Sequence, residues 1–419
     1  MSIIKVKMVF ALVLILTAAE AGFSSNGYFS HGYGTQSKGM AGGNVAFPLS
    51  AFAPAINPAG LTQIGKQVDF GLGYFSPQRQ YTVTGNPSGY PGTFGLAPGT
   101  VESGSTSFYI PSLAASFSLS GGHHLGLAAY GNGGMNTDYQ APTFGFAPTG
   151  IDLSQLFVAA TYAREFAGAH SLGISGLFGW QRFKAEGLNA FGMFSSDASK
   201  LTNNDYSTAT GFGARIGYYG KFMRILSVGA SYQTKMAMSE FSDYAGLFAE
   251  QGDFDVPASW SVGAAVSATP TLTLAAEVQQ ILYSGIKSIN NPMLPNLQQA
   301  LLGNDGGAGF GWEDMTVFKL GAQVTPLPTW TLRAGYSYGK QPIPESEVLF
   351  NILAPGVVEQ HATFGLSKTL IPTLQLHFSI MYAFTNTVSG ANPLEAPGQQ
   401  TIELQMDQLE AEFGLSFSL

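Results

Sequence analysis

Few residues in this chain have the types and spacing that catalysis or metal binding requires. The chain has no cysteine, which excludes disulfides, thiolate catalysis and cysteine-based zinc sites. Its six histidines are scattered without metal-ligand spacing. His361 and His377 could both point inward, with Ser379 nearby, but no strained nucleophile turn or paired carboxylate accompanies them. We therefore expect no enzyme, no cofactor and no metal site. The absence of a GxxxxGK[ST] motif also predicts that any transport would be passive.

Cations on predicted inward strand faces are the remaining candidates for ligand chemistry. Each could pair with the carboxylate of a ligand. They are Arg215, Lys235, Lys319 and Arg333. The alternative is pairing within the protein, because buried charges are usually paired. Glu277, Glu410 and Glu412 are the inward carboxylates available for it.

Two long connectors are unusually apolar for surface loops. Exposed apolar groups on outer loops could capture hydrophobic ligands. Methionine suits such a site because its flexible side chain adapts to apolar ligands of different shapes. The candidate residues are Phe144, Phe146, Met293, Leu294, Leu297 and Leu301. The same residues would also fit loops that pack on one another over a barrel mouth.

A glycine-rich run interrupts an otherwise strand-like stretch, the third strand by our count. It consists of Gly131, Asn132, Gly133 and Gly134. Glycine inside a strand marks a bulge, a bend or a close backbone approach. The run therefore predicts a local break in the regular wall of a sheet.

Composition and alternation indicate which elements position these residues. The chain of 419 residues is 45% hydrophobic and only 11% charged, whereas soluble domains average about 25% charged residues. Its mean hydropathy of +0.13 is too low for a chain of membrane helices. Apolar residues alternate with small or polar ones, most clearly over residues 374–385. The apolar face of these predicted strands carries almost no charge, as in a transmembrane β-barrel. The formal net charge of −8 argues against a nucleic-acid partner.

Connector lengths predict the strand number. Short turns, such as residues 120–123 and 326–329, alternate with long connectors, such as residues 85–105 and 290–311. Outer-membrane barrels show this asymmetry between periplasmic turns and extracellular loops. The breaks predict an all-β fold, a transmembrane antiparallel barrel of about fourteen strands, with both ends on the periplasmic side.

The N-terminal part divides into two segments. Residues 1–21 combine Lys5 and Lys7 with a short apolar core and a small-x-small end, which predicts a cleaved signal peptide. Residues 22–65 are rich in Gly, Ala, Ser and Pro with interleaved aromatics, and Lys38 is the only Lys, Arg, Asp or Glu of residues 26–61. We interpret residues 22–65 as a hatch that plugs the lumen of a barrel formed by residues 66–419. A flexible linker is the alternative.

The hatch also carries a family resemblance. The run NGYFSHGYGTQSKGMAGGNVAFP, followed by Asn57, Pro58, Ala59 and Gly60, resembles the hatch of FadL-type outer-membrane transporters (OmpP1/FadL/TodX-like). Residues 256–279 and 312–344 resemble strand pairs of that family.

The resemblance implies a function for the plugged barrel. It implies passive uptake of long-chain fatty acids or hydrocarbons across the bacterial outer membrane. The substrate would be captured at extracellular loops and held in an apolar lumen pocket. After hatch movement, it would leave sideways where the third strand is kinked at Gly131 to Gly134. The bulge could alternatively only curve the wall.

Two other functions are the alternatives for this barrel. One is a general diffusion porin for small solutes, and the other is a surface adhesin or binding protein. Under the leading interpretation the partners are hydrophobic small molecules, together with outer-membrane lipid and lipopolysaccharide around the wall. We expect a monomer.

Overall fold

The computed structural model describes residues 26–222 and 225–419, and it confirms the predicted fold class. Fourteen long strands form the wall of a barrel. They are β1 (Gln67–Thr84), β2 (Phe108–Ser118), β3 (His123–Tyr139), β4 (Thr149–Phe166), β5 (His170–Glu186), β6 (Ser207–Phe222), β7 (Leu226–Gln233), β8 (Ser259–Ser267), β9 (Leu272–Ile281), β10 (Met315–Leu327), β11 (Trp330–Gly339), β12 (Gln360–Ile371), β13 (Leu374–Ala391) and β14 (Thr401–Ser418). The predicted signal peptide lies outside the described residues.

The wall is a closed antiparallel meander. Each strand pairs with its neighbours in chain order, and β1 pairs with β14 from Gln67 opposite Ser418 to Thr84 opposite Thr401. Closure gives the first and last strands a partner, which an open sheet in lipid would lack. Pairing between β2 and β3 covers only part of the two strands, from Ser118 opposite His124 to Leu113 opposite Ala129.

Strand alternation separates a lipid face from a lumen face. On β14, Leu409 and Phe413 are exposed outward, whereas Glu410 and Glu412 are buried inside. The outward side chains include Phe212 and Phe413, of which 71% and 63% are exposed. Apolar side chains on the outside are what a bilayer requires.

Smaller elements lie in the plug and in the connectors. Two short strands, Gly99–Glu102 and Ala237–Met238, pair with β1 and β6 respectively. The helical turns are Thr35–Lys38, Ala53–Ala55, Pro58–Gln63, Ser120–Gly122, Asn189–Phe194, Ala198–Lys200, Ser242–Tyr244, Ala249–Gly252, Tyr283–Gly285, Lys287–Asn290, Asn296–Gln299, Glu345–Glu347 and Val348–Asn351. Within the described residues, every helix is too short or too polar to cross a bilayer.

The segment from residue 26 to residue 64 runs inside the barrel and is almost wholly buried. Tyr28, Met40 and Leu61 have no exposed surface. We call this segment the plug. Its glycines allow tight turns, and three helical turns are its only regular elements among the described residues.

The plug rests on three cross-strand pairs of wall glycines. They are Gly173 with Gly217, Gly229 with Gly263, and Gly321 with Gly335. A Cβ at the first pair would overlap the turn from Asn57 to Ala59, at the second pair Val45, and at the third pair Met40. The plug backbone therefore occupies the space that wall side chains would otherwise fill.

This packing predicts the effect of one added side chain. Gly217→Val should displace the plug turn, because its Cβ overlaps the Asn57 side chain, at a cost of about 1–3 kcal/mol. We expect higher ion conductance in planar bilayers than for the unchanged protein. Gly176→Val is the matched control on β5, where an added Cβ meets nothing within 4 Å. Equal conductance of both variants would contradict this packing.

Candidate functional site

A buried ion-pair cluster clamps the plug to β14. Lys38 Nζ donates to Glu412 Oε2 at 2.6 Å and also to Glu410. Thr35 Oγ1 donates to Glu412 Oε1 at 2.6 Å, and His31 Nδ1 lies 3.5 Å from Glu410 Oε2. All five residues are at least nine-tenths buried. Since buried charges need partners, the lone cation of the plug and the two wall carboxylates stabilise one another.

A second contact joins the plug to β9 and β10. Glu277 Oε2 accepts a hydrogen bond from the Val45 backbone N–H at 2.8 Å, and its other oxygen lies 3.7 Å from Lys319 Nζ. Lys319 also donates to the His31 carbonyl at 3.4 Å. The Lys319–Glu277 pair is the internal pairing that the sequence left open as an alternative.

The Asn-Pro-Ala-Gly motif forms a capped turn against the wall. Asn57 Oδ1 accepts from the Ala59 N–H at 3.1 Å and caps the short helix Pro58–Gln63. Asn57 Nδ2 donates to the carbonyls of Val45 at 2.9 Å and Tyr218 at 2.8 Å. One amide thus joins two parts of the plug to β6.

The glycine-rich run of β3 lies where this strand no longer pairs with β2. The β2–β3 ladder ends at Leu113 opposite Ala129. Beyond it, residues 128–137 of β3 are buried on both faces, so the strand bends into the lumen. On the β4 side, Gly131 faces Leu156 and Gly133 faces Gln155, which leaves Asn132 as one extra residue. The bulge is therefore part of a larger inward bend.

The plug takes the place of the missing wall neighbour. Ser30 N–H donates to the Asn132 carbonyl at 3.0 Å, and Gly134 N–H donates to the Tyr28 carbonyl at 3.1 Å. A Cβ at Gly133 would overlap the Tyr28 carbonyl. Asn132 also accepts from the Tyr33 hydroxyl at 2.7 Å and donates to Gln155 at 2.9 Å. The bulged part of β3 and the start of the plug thus form one hydrogen-bonded unit.

The other predicted cations have protein partners. Arg215 donates to the Pro54 carbonyl at 2.8 Å and to Gln233. Arg333 donates to Gln323 at 2.8 Å and Ser367 at 2.6 Å. Arg333 also lines a vestibule of about 380 Å³ at the periplasmic end, beside the plug.

Lys235 differs from the expectation of an inward position. The strand β7 ends at Gln233, so the strand alternation does not reach Lys235, and about half of the Lys235 side chain is exposed. Lys235 pairs with Asp255 at 2.5 Å. Burial and the neighbouring Asp255 raise the pKa of Asp253 to about 7. Between these acids, Phe254 packs 6.1 Å from Tyr28 of the plug, measured between ring centroids.

The extracellular loops pack into an aromatic layer above the plug. Phe144, Met293 and Leu297 are buried there and Leu294 is partly buried, whereas Phe146 and Leu301 are exposed. The predicted capture residues thus fall into a buried and an exposed group. The layer encloses a cavity of about 40 Å³, lined by apolar side chains such as Phe183, Phe248 and Phe310, with Ser288 as its one polar side chain.

Sequence reasoning missed the pairing of Lys38 with Glu410 and Glu412, and the pairing of Tyr28 and Ser30 with β3. A signal for the first was present, because the plug has one cation and β14 has two inward carboxylates. The second carries no side-chain signal, since it joins backbone groups.

The closed strand ladder, the apolar side chains on the outer face and the internal plug define a transmembrane β-barrel whose lumen is plugged. The chain belongs to the outer membrane protein transport protein family (OMPP1/FadL/TodX), whose model matches residues 12–414. The protein is accordingly a bacterial outer-membrane protein, and its family is one of transport proteins rather than enzymes.

Solved structures share the fold at low sequence identity. The Pseudomonas putida toluene transporter TodX is 17% identical, with a TM-score of 0.69 over 93% of this chain and 99% of its own. A Pseudomonas aeruginosa FadL homologue is 15% identical, with a TM-score of 0.69 over 94% and 99%. The Ralstonia pickettii toluene transporter TbuX is 17% identical, with a TM-score of 0.64 over 93% and 99%. Comparison with curated protein sequences returns no match.

The clamp predicts a leak when its cation is removed. Lys38→Met leaves Glu410 and Glu412 buried and uncompensated, which costs about 3–5 kcal/mol. We expect the plug to loosen and single-channel conductance to rise. Lys38→Met combined with Glu412→Gln should restore part of the seal, because it removes one of the two carboxylates.

Lys184→Met serves as the control for the clamp. The Lys184–Glu186 pair is exposed and should contribute little. Wild-type conductance for Lys38→Met would show that the clamp does not hold the plug.

Proposed function

We propose that the protein takes up hydrophobic small molecules passively across the outer membrane. In this proposal the extracellular loops capture the substrate, the apolar layer above the plug holds it, and the opening at β3 releases it sideways into the membrane. The observation that carries the proposal is the bonding of Tyr28 and Ser30 to the bend of β3, where the β2–β3 ladder has ended. A shift of these plug residues would uncover the opening.

Lateral release has a physical advantage for an apolar cargo. Each CH₂ returned to water costs about 0.8 kcal/mol, so a route through the periplasmic end would be unfavourable. That end is also occupied by the plug, whose ion pairs and glycine contacts resist its removal. In the proposed route the substrate instead passes from the gap between β2 and β3 into the hydrocarbon of the bilayer.

We also propose a division of the chain into three parts. Residues 1–21 would be a cleaved leader, residues 22–65 the hatch, and residues 66–419 the barrel. The burial of residues 26–64 inside the wall supports the second boundary. The first boundary rests on a small-x-small cleavage pattern and can be tested by N-terminal sequencing of the mature protein.

The lateral route predicts a specific effect of removing Asn132. Deletion of Asn132 takes out the extra residue between the pairs Gly131–Leu156 and Gly133–Gln155, so β3 can run straight and pair with β2. We expect a folded barrel with much slower uptake of labelled toluene. The control is Asn132→Ala, which keeps the chain length and the bulge. Undiminished uptake after the deletion would rule out exit through β3.

The lining of the upper cavity favours an uncharged substrate. Its walls contain no cation, and a carboxylate buried without a partner is strongly disfavoured. Two of the similar structures are described as toluene transporters, which agrees with this preference. The cavity of about 40 Å³ is below the roughly 150 Å³ that takes benzene in a protein core, so the loops must repack around a ligand.

Uptake of labelled toluene and labelled oleate, in cells that lack other such channels, tests this preference. We expect toluene uptake to exceed oleate uptake, and Arg215→Gln to change toluene uptake less than it changes oleate uptake. The physical reason is that toluene needs no cation. Faster oleate uptake that Arg215→Gln abolishes would instead identify a fatty-acid channel with Arg215 at the carboxylate.

A further inference from the structure

The outer wall of the barrel carries a groove that the proposed route does not use. It has a volume of about 530 Å³ and spans β4 to β8. Its lining is almost entirely apolar and includes Leu172, Ile174, Ile216, Tyr232 and Val262. The opening at β3 lies at a different part of the wall, between β2 and β3. The groove is therefore a separate feature of the lipid face.

Strand register explains why the wall is concave here. Leu172, Tyr218, Ala230 and Val262 are direct cross-strand neighbours, and Ala230 is the small residue between two larger ones. Behind this row, the inward positions Gly173 and Gly217 have no side chains and contact the plug turn directly. The wall can thus approach the plug closely, which leaves a hollow outside.

A cation stands at one end of the same row. Arg164 is directly opposite Leu172 in the β4–β5 ladder, lines the groove and is exposed. Within the described residues, Arg164 has no ion-pair or hydrogen-bond partner. It lies near the end of β4 that joins the short turn to β5, which is the periplasmic side of such barrels. The groove therefore has an apolar body and a cationic end at the depth of lipid headgroups.

Two hydrogen-bonded tyrosine–histidine pairs lie beside Arg164 at the periplasmic end of the groove. His123 Nδ1 lies 2.7 Å from the Tyr162 hydroxyl, and His170 Nδ1 lies 2.7 Å from the Tyr218 hydroxyl. These hydrogen bonds hold both rings at the rim of the groove. Arg164 is left as the group that can meet an anion.

We propose that this groove binds one glycerophospholipid of the periplasmic leaflet. An acyl chain lies along the apolar body over Ala230, and the headgroup phosphate meets Arg164. Guanidinium and phosphate form charge-assisted, often bidentate hydrogen bonds, which distinguish this site from the general lipid belt. The site is independent of the transported substrate.

Native mass spectrometry of the full-length barrel tests the proposal. The protein is extracted in a mild detergent, stripped of lipid and titrated with phosphatidylglycerol. We expect one tightly bound lipid for the unchanged protein. Arg164→Gln should weaken binding roughly tenfold or more, since it removes a hydrogen bond to a charged group. Ala230→Phe should abolish binding by filling the groove.

Arg182→Gln is the matched control. Arg182 lies near the opposite, extracellular end of β5, so its loss should leave phospholipid binding unchanged. Equal binding by Arg164→Gln and Arg182→Gln would overturn the proposal, as would co-purification of lipopolysaccharide in place of phospholipid. Slower toluene uptake by Ala230→Phe with unchanged lipid binding would also overturn it, because the groove would then belong to the transport route. If Ala230→Phe does not insert, Arg164→Gln decides alone.

Discussion

Lipid offers no hydrogen-bond partner to a polypeptide backbone, and this constraint shapes the whole molecule. Fourteen strands satisfy it by closing β1 onto β14. Where β3 leaves β2 after Ala129, the same requirement is met from inside, because Tyr28 and Ser30 of the plug supply the backbone groups. The plug is thus more than an obstruction in the lumen. It supplies two backbone hydrogen bonds to β3 at the place where we propose that substrate leaves.

Much of the fold could be predicted because its signals are local. Alternation over residues 374–385 and turns such as residues 326–329 depend on neighbouring residues alone, and both agree with β13 and with the β10–β11 connection. The failure at Lys235 has a local cause as well, since β7 is only eight residues long. Short strands such as Ala237–Met238 could not be predicted, because two residues are too few to show the alternation of apolar and polar side chains.

The site was less predictable because its contacts join distant parts of the chain. Lys38 meets Glu410 and Glu412 across more than 370 positions, and composition cannot say which inward charges meet. The contacts of the wall glycines with the plug could not be predicted for another reason. The chain has 53 glycines, and only the register places Gly173 opposite Gly217 beneath the plug turn. Backbone complementarity of this kind has no side-chain signature.

The distribution of these contacts indicates which part of the plug can move. Residues from His31 to Leu61 are held by the Lys38 clamp, by the Glu277 contact with Val45 and by the glycine pairs. Withdrawing this part would separate Lys38 from Glu410 and Glu412 and so break two buried ion pairs. Tyr28 and Ser30 are instead joined to β3 by two backbone hydrogen bonds, and the Tyr28 ring packs against Tyr283 and Trp312. Phe254 of the loop layer packs on Tyr28, so loops that repack around a ligand would act directly on the start of the plug. A local shift of residues 28–30 would leave the Lys38 ion pairs intact, and it is the movement that the proposed lateral route requires.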